Sequence, residues 1–130
     1  MHEIAISETI CKIIIREAKI GNIEEVSSAR LRIGKMAAFD RKNLDLCLEG
    51  HTKDKALAKT KFEIEAVPVA LKCNGCKHTY IDYRFDDFDF AHKTAHAPGL
   101  YIPPECPSCK KQDAGLISGQ EIELVSIEGE

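Results

Sequence analysis

The first third of the chain changes from a helical to a strand-like hydrophobic pattern. Isoleucines recur at intervals of three and four residues over 4–20, and a Gly-Asn dipeptide ends that pattern. From residue 23 the period becomes two, with Ala29, Leu31 and Ile33 alternating with polar neighbours. The sequence therefore predicts a helix over 4–20, followed by a half-buried strand over 23–33.

The same reasoning predicts one more helix and two more strands. Asp40 suits the N-cap of a helix whose apolar face includes Leu44 and Leu48. Apolar and charged residues then alternate over 61–66 and again over 121–127. We expect an α+β fold with a small three-stranded mixed sheet and two helices.

A segment of different composition interrupts this pattern and contains two C-x-x-C motifs. We therefore divide the chain into an α/β domain, formed by residues 1–69 and 116–130, and an inserted zinc-ribbon-like domain over 70–115. No internal repeat is visible beyond the two cysteine motifs.

The overall composition excludes several classes of protein. The 130 residues are 44% hydrophobic and 30% charged, as in folded globular domains. A net charge of −3 argues against a nucleic-acid-binding surface, and no apolar run approaches the ~20 residues of a membrane helix. Because the start of the chain lacks the features of a secretory signal, we expect a cytoplasmic protein.

The paired cysteines are Cys73, Cys76, Cys106 and Cys109. In a chain without a secretory signal, two C-x-x-C motifs favour metal over disulfides, and four thiolates form a tetrahedral set for Zn²⁺ or Fe. Zinc is the favoured ion, with a structural role, because the segment has few apolar residues for a core. A rubredoxin-like iron electron carrier and a zinc-ribbon interaction module stay open as alternatives.

The 29 residues between the two motifs exceed the ~15–20 of simple zinc modules. This excursion, residues 81–102, has interleaved aspartates and, with its neighbour Tyr80, six of the eight aromatic residues. In one interpretation the aromatics pack on the zinc module and the acids face solvent. In the other, His92 or His96, which would share a helix face, supplies an extra metal ligand.

The amino terminus has chelating chemistry if its amine is free. The Met1 amine, the His2 amide nitrogen and the His2 imidazole can close two chelate rings, and the Glu3 amide or carboxylate can complete the set. Planar nitrogen-rich coordination is typical of Ni²⁺ and Cu²⁺. The alternative is that His2 is an ordinary exposed terminal residue.

Taken together, these motifs resemble the HypA/HybF family of nickel metallochaperones in [NiFe]-hydrogenase maturation. The resemblance covers nearly the whole chain and includes Met1-His2-Glu3, Leu31-Arg32-Ile33-Gly34, Phe62-Glu63-Ile64-Glu65, both C-x-x-C motifs and Gly119-Gln120-Glu121-Ile122. The long excursion is similar to that of archaeal-type members, in which an inserted histidine joins the nickel site. His92 and His96 are the matching candidates.

The resemblance implies a nickel domain and a zinc domain. It implies Ni²⁺ at Met1, His2 and Glu3, and structural Zn²⁺ at the four paired cysteines. It also implies two partners, the GTPase HypB and the hydrogenase large-subunit precursor, with relatives serving urease. We expect a monomer or weak homodimer. We also expect no enzymatic activity, because no nucleophile–base pair or phosphate-binding loop is visible.

Overall fold

In the computed structural model, which describes residues 3–51 and 53–130, the chain forms a mixed α+β fold. The helices are α1 (Glu3–Ile20), α2 (Arg41–Glu49) and α3 (Phe88–His96). The strands are β1 (Val26–Gly34), β2 (Lys61–Val67), β3 (Ala70–Cys73), β4 (Thr79–Ile81), β5 (Ala114–Ser118) and β6 (Ile122–Gly129). The predicted fold class is confirmed.

The helix α1 ends where the sequence predicts. Ile6, Ile10 and Ile14, spaced by four residues, are completely buried, which gives the helix a single apolar face. At its end Asn22 adopts a left-handed conformation with φ of 57°, and the Ile23 N–H donates to the Ala18 carbonyl at 2.8 Å. In the described residues, no helix is both long and apolar enough to cross a membrane.

The three strands predicted from alternation form one sheet in the order β2-β1-β6. Strands β1 and β6 are antiparallel: Glu25 and Glu130 exchange backbone hydrogen bonds of 2.9 and 3.0 Å at one end. At the other end, the Gly34 N–H donates to the Glu121 carbonyl at 2.7 Å. Helix α1 packs against both α2 and β6.

The second sheet holds the cysteine region and has the order β4-β3-β5. Both pairings are antiparallel, with Leu71 opposite Tyr80 on one side and opposite Leu116 on the other. Strand β3 ends at Cys73, so the sheet fixes the position of the first cysteine.

The described residues belong to two compact units. The first comprises Met1–Arg32, Phe39–Glu65 and Ile122–Glu130, and the second comprises Ile33–Ala38 and Ala66–Glu121. The short segment Ile33–Ala38 belongs to the second unit although it lies far from the cysteine motifs in the sequence.

The second unit has a hydrophobic core of its own. Ala38, Val69, Phe85 and Ala91 are buried together, and Met36, Phe90, Ala95 and Tyr101 pack against them. The rings of Phe85 and Phe90 meet edge to face, with centroids 5.1 Å apart. Three aromatic residues of the excursion, Phe85, Phe90 and Tyr101, therefore build a core together with the 33–38 segment.

Candidate metal centre

Four cysteine sulfurs converge in the second unit. The Sγ atoms of Cys73, Cys76, Cys106 and Cys109 all lie within 4.8 Å of one another. Cys73 and Cys109 are 3.5 Å apart, and Cys76 and Cys106 are 3.6 Å apart. A tetrahedral zinc with Zn–S bonds of about 2.3 Å separates its sulfurs by about 3.8 Å. The donor set therefore fits zinc, and its shape fits a Cys₄ iron as well.

The two C-x-x-C turns have the same backbone geometry. The Lys77 N–H donates to the Cys73 carbonyl at 3.0 Å, and the Lys110 N–H donates to the Cys106 carbonyl at 2.8 Å. Lys77 and Lys110 both adopt left-handed conformations, with φ of 67° and 68°. Each turn thus reverses the chain directly after its second cysteine, so that two sulfurs point to one side.

Gly75 has a different role from the one its residue type suggests. Glycine is favoured where the backbone needs a positive φ, but the left-handed residue of this turn is Lys77. A Cβ added at Gly75 would lie 3.2 Å from the Lys111 Cδ and 3.7 Å from the Cys73 Sγ. The glycine therefore leaves room for the Lys111 side chain, whereas the distance to the sulfur is an ordinary van der Waals contact.

Local hydrogen bonds favour ionised sulfur at two of the cysteines. The Cys76 N–H, helped by the Cys109 thiol, lowers the pKa of Cys73 to about 6, although burial raises it. Burial also raises the pKa of Cys106, but the Cys109 N–H and other local hydrogen bonds outweigh it and lower that pKa overall. Thiolates in contact repel one another, so a divalent cation is the partner with which all four can ionise.

The cysteine set leaves no coordination position open, because four protein sulfurs can occupy all corners of a tetrahedron. Cys73 and Cys106 are completely buried, Cys109 is half-buried and Cys76 is exposed. Catalytic zinc sites keep one position for water, whereas sites with four cysteines are structural. This donor set is therefore suited to holding the second unit together.

His92 and His96 lie together on α3, four residues apart, as their spacing predicts. Their Nε2 atoms are 3.2 Å apart, and their ring centroids are 4.5 Å apart. The Phe88 ring stacks on His92 with centroids 5.6 Å apart. The two imidazoles therefore lie within hydrogen-bonding distance of each other.

The nickel ligands predicted at the amino terminus fall only partly within the structure. Met1 and His2 lie outside the described residues. Glu3 begins α1, and its carboxylate accepts a hydrogen bond of 2.9 Å from the Asp40 N–H. The Glu3 carboxylate is therefore already bound to the backbone that precedes α2.

Besides the Glu3–Asp40 hydrogen bond, a contact between Ser7 and His51 joins the first turns of α1 to a distant part of the chain. The buried Ser7 hydroxyl donates to the Ile4 carbonyl at 2.8 Å and lies 3.4 Å from the His51 Nε2. Since the single hydroxyl hydrogen goes to Ile4, His51 is the donor in the longer contact. The sequence gives no sign of this pairing, because Ser7 and His51 are 44 positions apart.

The aspartates of the excursion do not all face solvent. Asp82 is 2% exposed and accepts hydrogen bonds from Arg84 at 2.9 and 2.8 Å and from the Tyr101 hydroxyl at 2.8 Å. Burial raises the pKa of Asp82, but these bonds outweigh burial and hold the pKa below its usual value. The expectation of a solvated acid is wrong for Asp82, because its partner Tyr101 is distant in sequence.

Comparison with known proteins identifies one family over nearly the whole chain. Residues 1–129 match the family model described as HypA, hydrogenase/urease nickel incorporation, metallochaperone. The hydrogenase maturation factor HypA of Desulfosudis oleivorans is 32% identical over 98% of this chain and 97% of its own length. The protein of the same name from Chloroflexus aggregans is 30% identical over 98% of both.

Solved structures share the fold. The solution structure of the Ni metallochaperone HypA from Helicobacter pylori matches with a TM-score of 0.65 and 18% identity, covering 99% of this chain and 97% of that one. A second solution structure of a HypA protein matches with a TM-score of 0.63 and 18% identity, covering 99% and 96%.

Proposed function

The chain belongs to the HypA family of metallochaperones for hydrogenase and urease nickel incorporation, and from this premise we propose that it binds Ni²⁺ at its amino terminus and delivers it to the [NiFe]-hydrogenase large-subunit precursor. The observation that carries the proposal is the family match over residues 1–129. The protein is a metal carrier in this proposal and does not catalyse a reaction.

The proposed nickel ligands are Met1, His2 and Glu3. The Met1 amine, the His2 amide and the His2 imidazole would give three nitrogens of a planar site, which suits Ni²⁺. Glu3 would contribute its amide nitrogen, because its carboxylate is bound to the Asp40 N–H. The first N–H groups of a helix have no acceptor within that helix, so coordination there breaks no helical hydrogen bond.

We propose structural zinc at Cys73, Cys76, Cys106 and Cys109. The support is the convergence of their sulfurs within 4.8 Å, together with the closed, all-sulfur character of the set. The iron alternative predicts a coloured protein with thiolate-to-iron absorption. A colourless protein that contains one zinc per chain would contradict the iron alternative.

The remaining parts of the proposal concern the partner, the compartment, the oligomeric state and the place of each metal in the chain. We propose the GTPase HypB as the partner, the cytoplasm as the compartment, and a monomer or weak homodimer as the active form. Nickel binding is assigned to a domain of residues 1–69 and 116–130, and zinc binding to residues 70–115. His92 and His96 are proposed as further nickel ligands, supported by the 3.2 Å between their Nε2 atoms.

A nickel titration tests the proposal. Zinc-loaded protein with its native amino terminus is expected to bind one Ni²⁺ per chain, and His2→Ala is expected to lose this binding. His78→Ala is the matched control, because His78 is an exposed histidine that follows the first cysteine turn. A protein with a blocked amino group is expected to behave like His2→Ala. Equal binding by wild type and His2→Ala would show that the terminal site is wrong.

The pH dependence provides an independent check of the ligand set. The imidazole must be neutral and the amine unprotonated to bind, so protons compete with nickel. Affinity is expected to fall as the pH decreases from 8 towards the ordinary imidazole pKa of about 6.5. An affinity that stays constant between pH 8 and 6 would contradict this ligand set.

A further inference from the structure

A groove of about 450 Å³ lies within the second unit, between α3 and the turn at Pro98–Leu100. A volume of this size can hold a small ligand or a few side chains. Two charged residues and several apolar residues provide most of its lining: Arg84, Lys93, Phe90, Leu100, Tyr101 and Ile102.

The guanidinium of Arg84 is held in one orientation. Its Nε and Nη2 donate to the two oxygens of Asp82 at 2.9 and 2.8 Å, and Nη2 also donates to the Ile102 carbonyl at 2.8 Å. The Phe90 ring lies 4.7 Å from the guanidinium carbon. These bonds do not use Nη1, and the Arg84 side chain stays 43% exposed while that of Asp82 is 1% exposed. A fixed guanidinium loses little entropy when it binds a carboxylate.

The charge of the groove is opposite to that of the whole chain. The sequence has a net charge of −3, yet Arg84 and Lys93 are the charged residues that line the groove, and no carboxylate is among the described lining residues. Lys93 is exposed and forms no ion pair in the described part of the chain. Since Asp82 compensates Arg84, the uncompensated positive charge is that of Lys93.

Large apolar side chains border these cations. Leu100 is 80% exposed and Ile102 is 63% exposed, and both line the groove. Apolar side chains grouped on a surface and flanked by polar residues are typical of sites that bind another molecule. The combination of cations and apolar side chains complements a segment in which acidic and apolar residues alternate.

We propose that this groove binds an extended peptide segment of a partner protein, one in which an acidic residue is next to a large apolar residue. The carboxylate pairs with Lys93 and with the oriented guanidinium of Arg84. The apolar neighbour covers Leu100 and Ile102. This interaction goes beyond nickel binding and does not depend on the ligands at the amino terminus.

A peptide titration followed by NMR tests the proposal on the zinc-loaded full chain. The probe is the blocked hexapeptide Leu-Glu-Phe-Glu-Leu-Glu, and its comparison is the same peptide with glutamine in place of glutamate. The glutamate peptide is expected to shift the amide signals of Lys93, Leu100 and Ile102 saturably. The glutamine peptide is expected to bind about tenfold more weakly, because it cannot form the charged pairs.

Variants identify the groove residues. Lys93→Glu and Leu100→Ser are each expected to weaken the glutamate peptide about tenfold. Lys12→Glu is the matched control, because it makes the same charge change at an exposed position on α1. Both groove substitutions lie at exposed positions, and zinc content and an unchanged amide spectrum elsewhere verify that the variants are folded.

Four results would overturn the proposal. The first is equal affinity for the two peptides, and the second is an equal effect of Lys93→Glu and Lys12→Glu on peptide binding. The third is stronger binding of a small dicarboxylate such as succinate at the same residues, which would make the groove a metabolite site. The fourth is self-association that Leu100→Ser abolishes in sedimentation, which would make the occupant a second copy of the chain.

Discussion

Cys11 lies on the buried face of α1 and is 3% exposed. Burial raises the pKa of its thiol to about 11, and the negative charge of Asp54 adds to the effect. The reactive form of a cysteine is the thiolate, so this thiol is expected to be inert in the folded protein. Cys11 therefore behaves as a core residue of α1.

Alkylation tests whether the Cys11 thiol is unreactive in the folded protein. With a pKa of about 11, only about one in a thousand Cys11 thiols is ionised at pH 8. Iodoacetamide is therefore expected to label the half-buried Cys47 well before Cys11 in zinc-loaded protein, and to label both after unfolding. Mass spectrometry of the peptides measures the two rates. Equal rates in the folded protein would contradict the assignment of Cys11 to the core.

The raised pKa of Cys11 also makes the free energy of unfolding depend on pH. Between the ordinary thiol pKa of 9.0 and the folded value of about 11, the unfolded chain releases the Cys11 proton and the folded chain keeps it. The contribution of Cys11 to the free energy of unfolding is therefore complete below pH 9 and decreases as the pH rises from 9 to 11.

At the scale of elements, α2 begins at a side-chain cap. The Asp40 carboxylate accepts from the Lys42 N–H at 3.0 Å, while its own N–H donates to the Glu3 carboxylate at 2.9 Å. One residue thus caps α2 through its side chain and contacts the start of α1 through its backbone.

Replacing Asp40 by alanine separates these two contacts. Asp40→Ala removes the side-chain cap and keeps the backbone N–H, so it is expected to lower the free energy of unfolding by about 1 kcal/mol. Asp45→Ala is the matched control, because among the described residues Asp45 forms an exposed ion pair with Arg41 at 2.9 Å and caps no helix. That control is expected to cost less than about 0.5 kcal/mol.

Urea unfolding of zinc-loaded protein measures both differences. If Asp40→Ala costs no more than Asp45→Ala, the cap does not stabilise α2. A cost for Asp40→Ala of more than about 2 kcal/mol would exceed the usual range for a helix cap, and would show that the substitution also disturbs the Glu3 contact.

At the scale of the whole molecule, the two compact units differ in how they are stabilised. The first buries three isoleucines of α1 and two leucines of α2. The second has roughly 60 residues, a small core and four converging cysteines. Domains of this size commonly need a metal or disulfides in addition to their core.

Removal of zinc is therefore expected to affect the two units differently. Protein stripped by a chelator is expected to lose amide-exchange protection in β3 and β5 by at least about tenfold, since metal binding is coupled to folding. Protection in α1 is the internal control and is expected to stay high. Added zinc should restore the protection. Unchanged protection in β3 without zinc would show that the core alone holds the second unit.

Local pattern was enough to predict much of this protein. Helix α1 follows from its isoleucine spacing, β1, β2 and β6 follow from alternation, and the paired cysteines follow from the short C-x-x-C spacing. Each of these signals arises from residues close together in the chain, so a short stretch of sequence is enough to predict their burial and backbone conformation. The amino-terminal nickel ligands and the nickel role of the two histidines stay predictions.

Only the tertiary structure could decide the contacts between distant residues. The chain gives no sign that Ile33–Ala38 belongs with the aromatic core, that Asp82 is buried against Tyr101, or that Glu3 reaches Asp40. An aspartate in a polar segment has the same local pattern whether water or a tyrosine is its partner. Its role is fixed by long-range packing, because burial and partners depend on which segments the fold brings together.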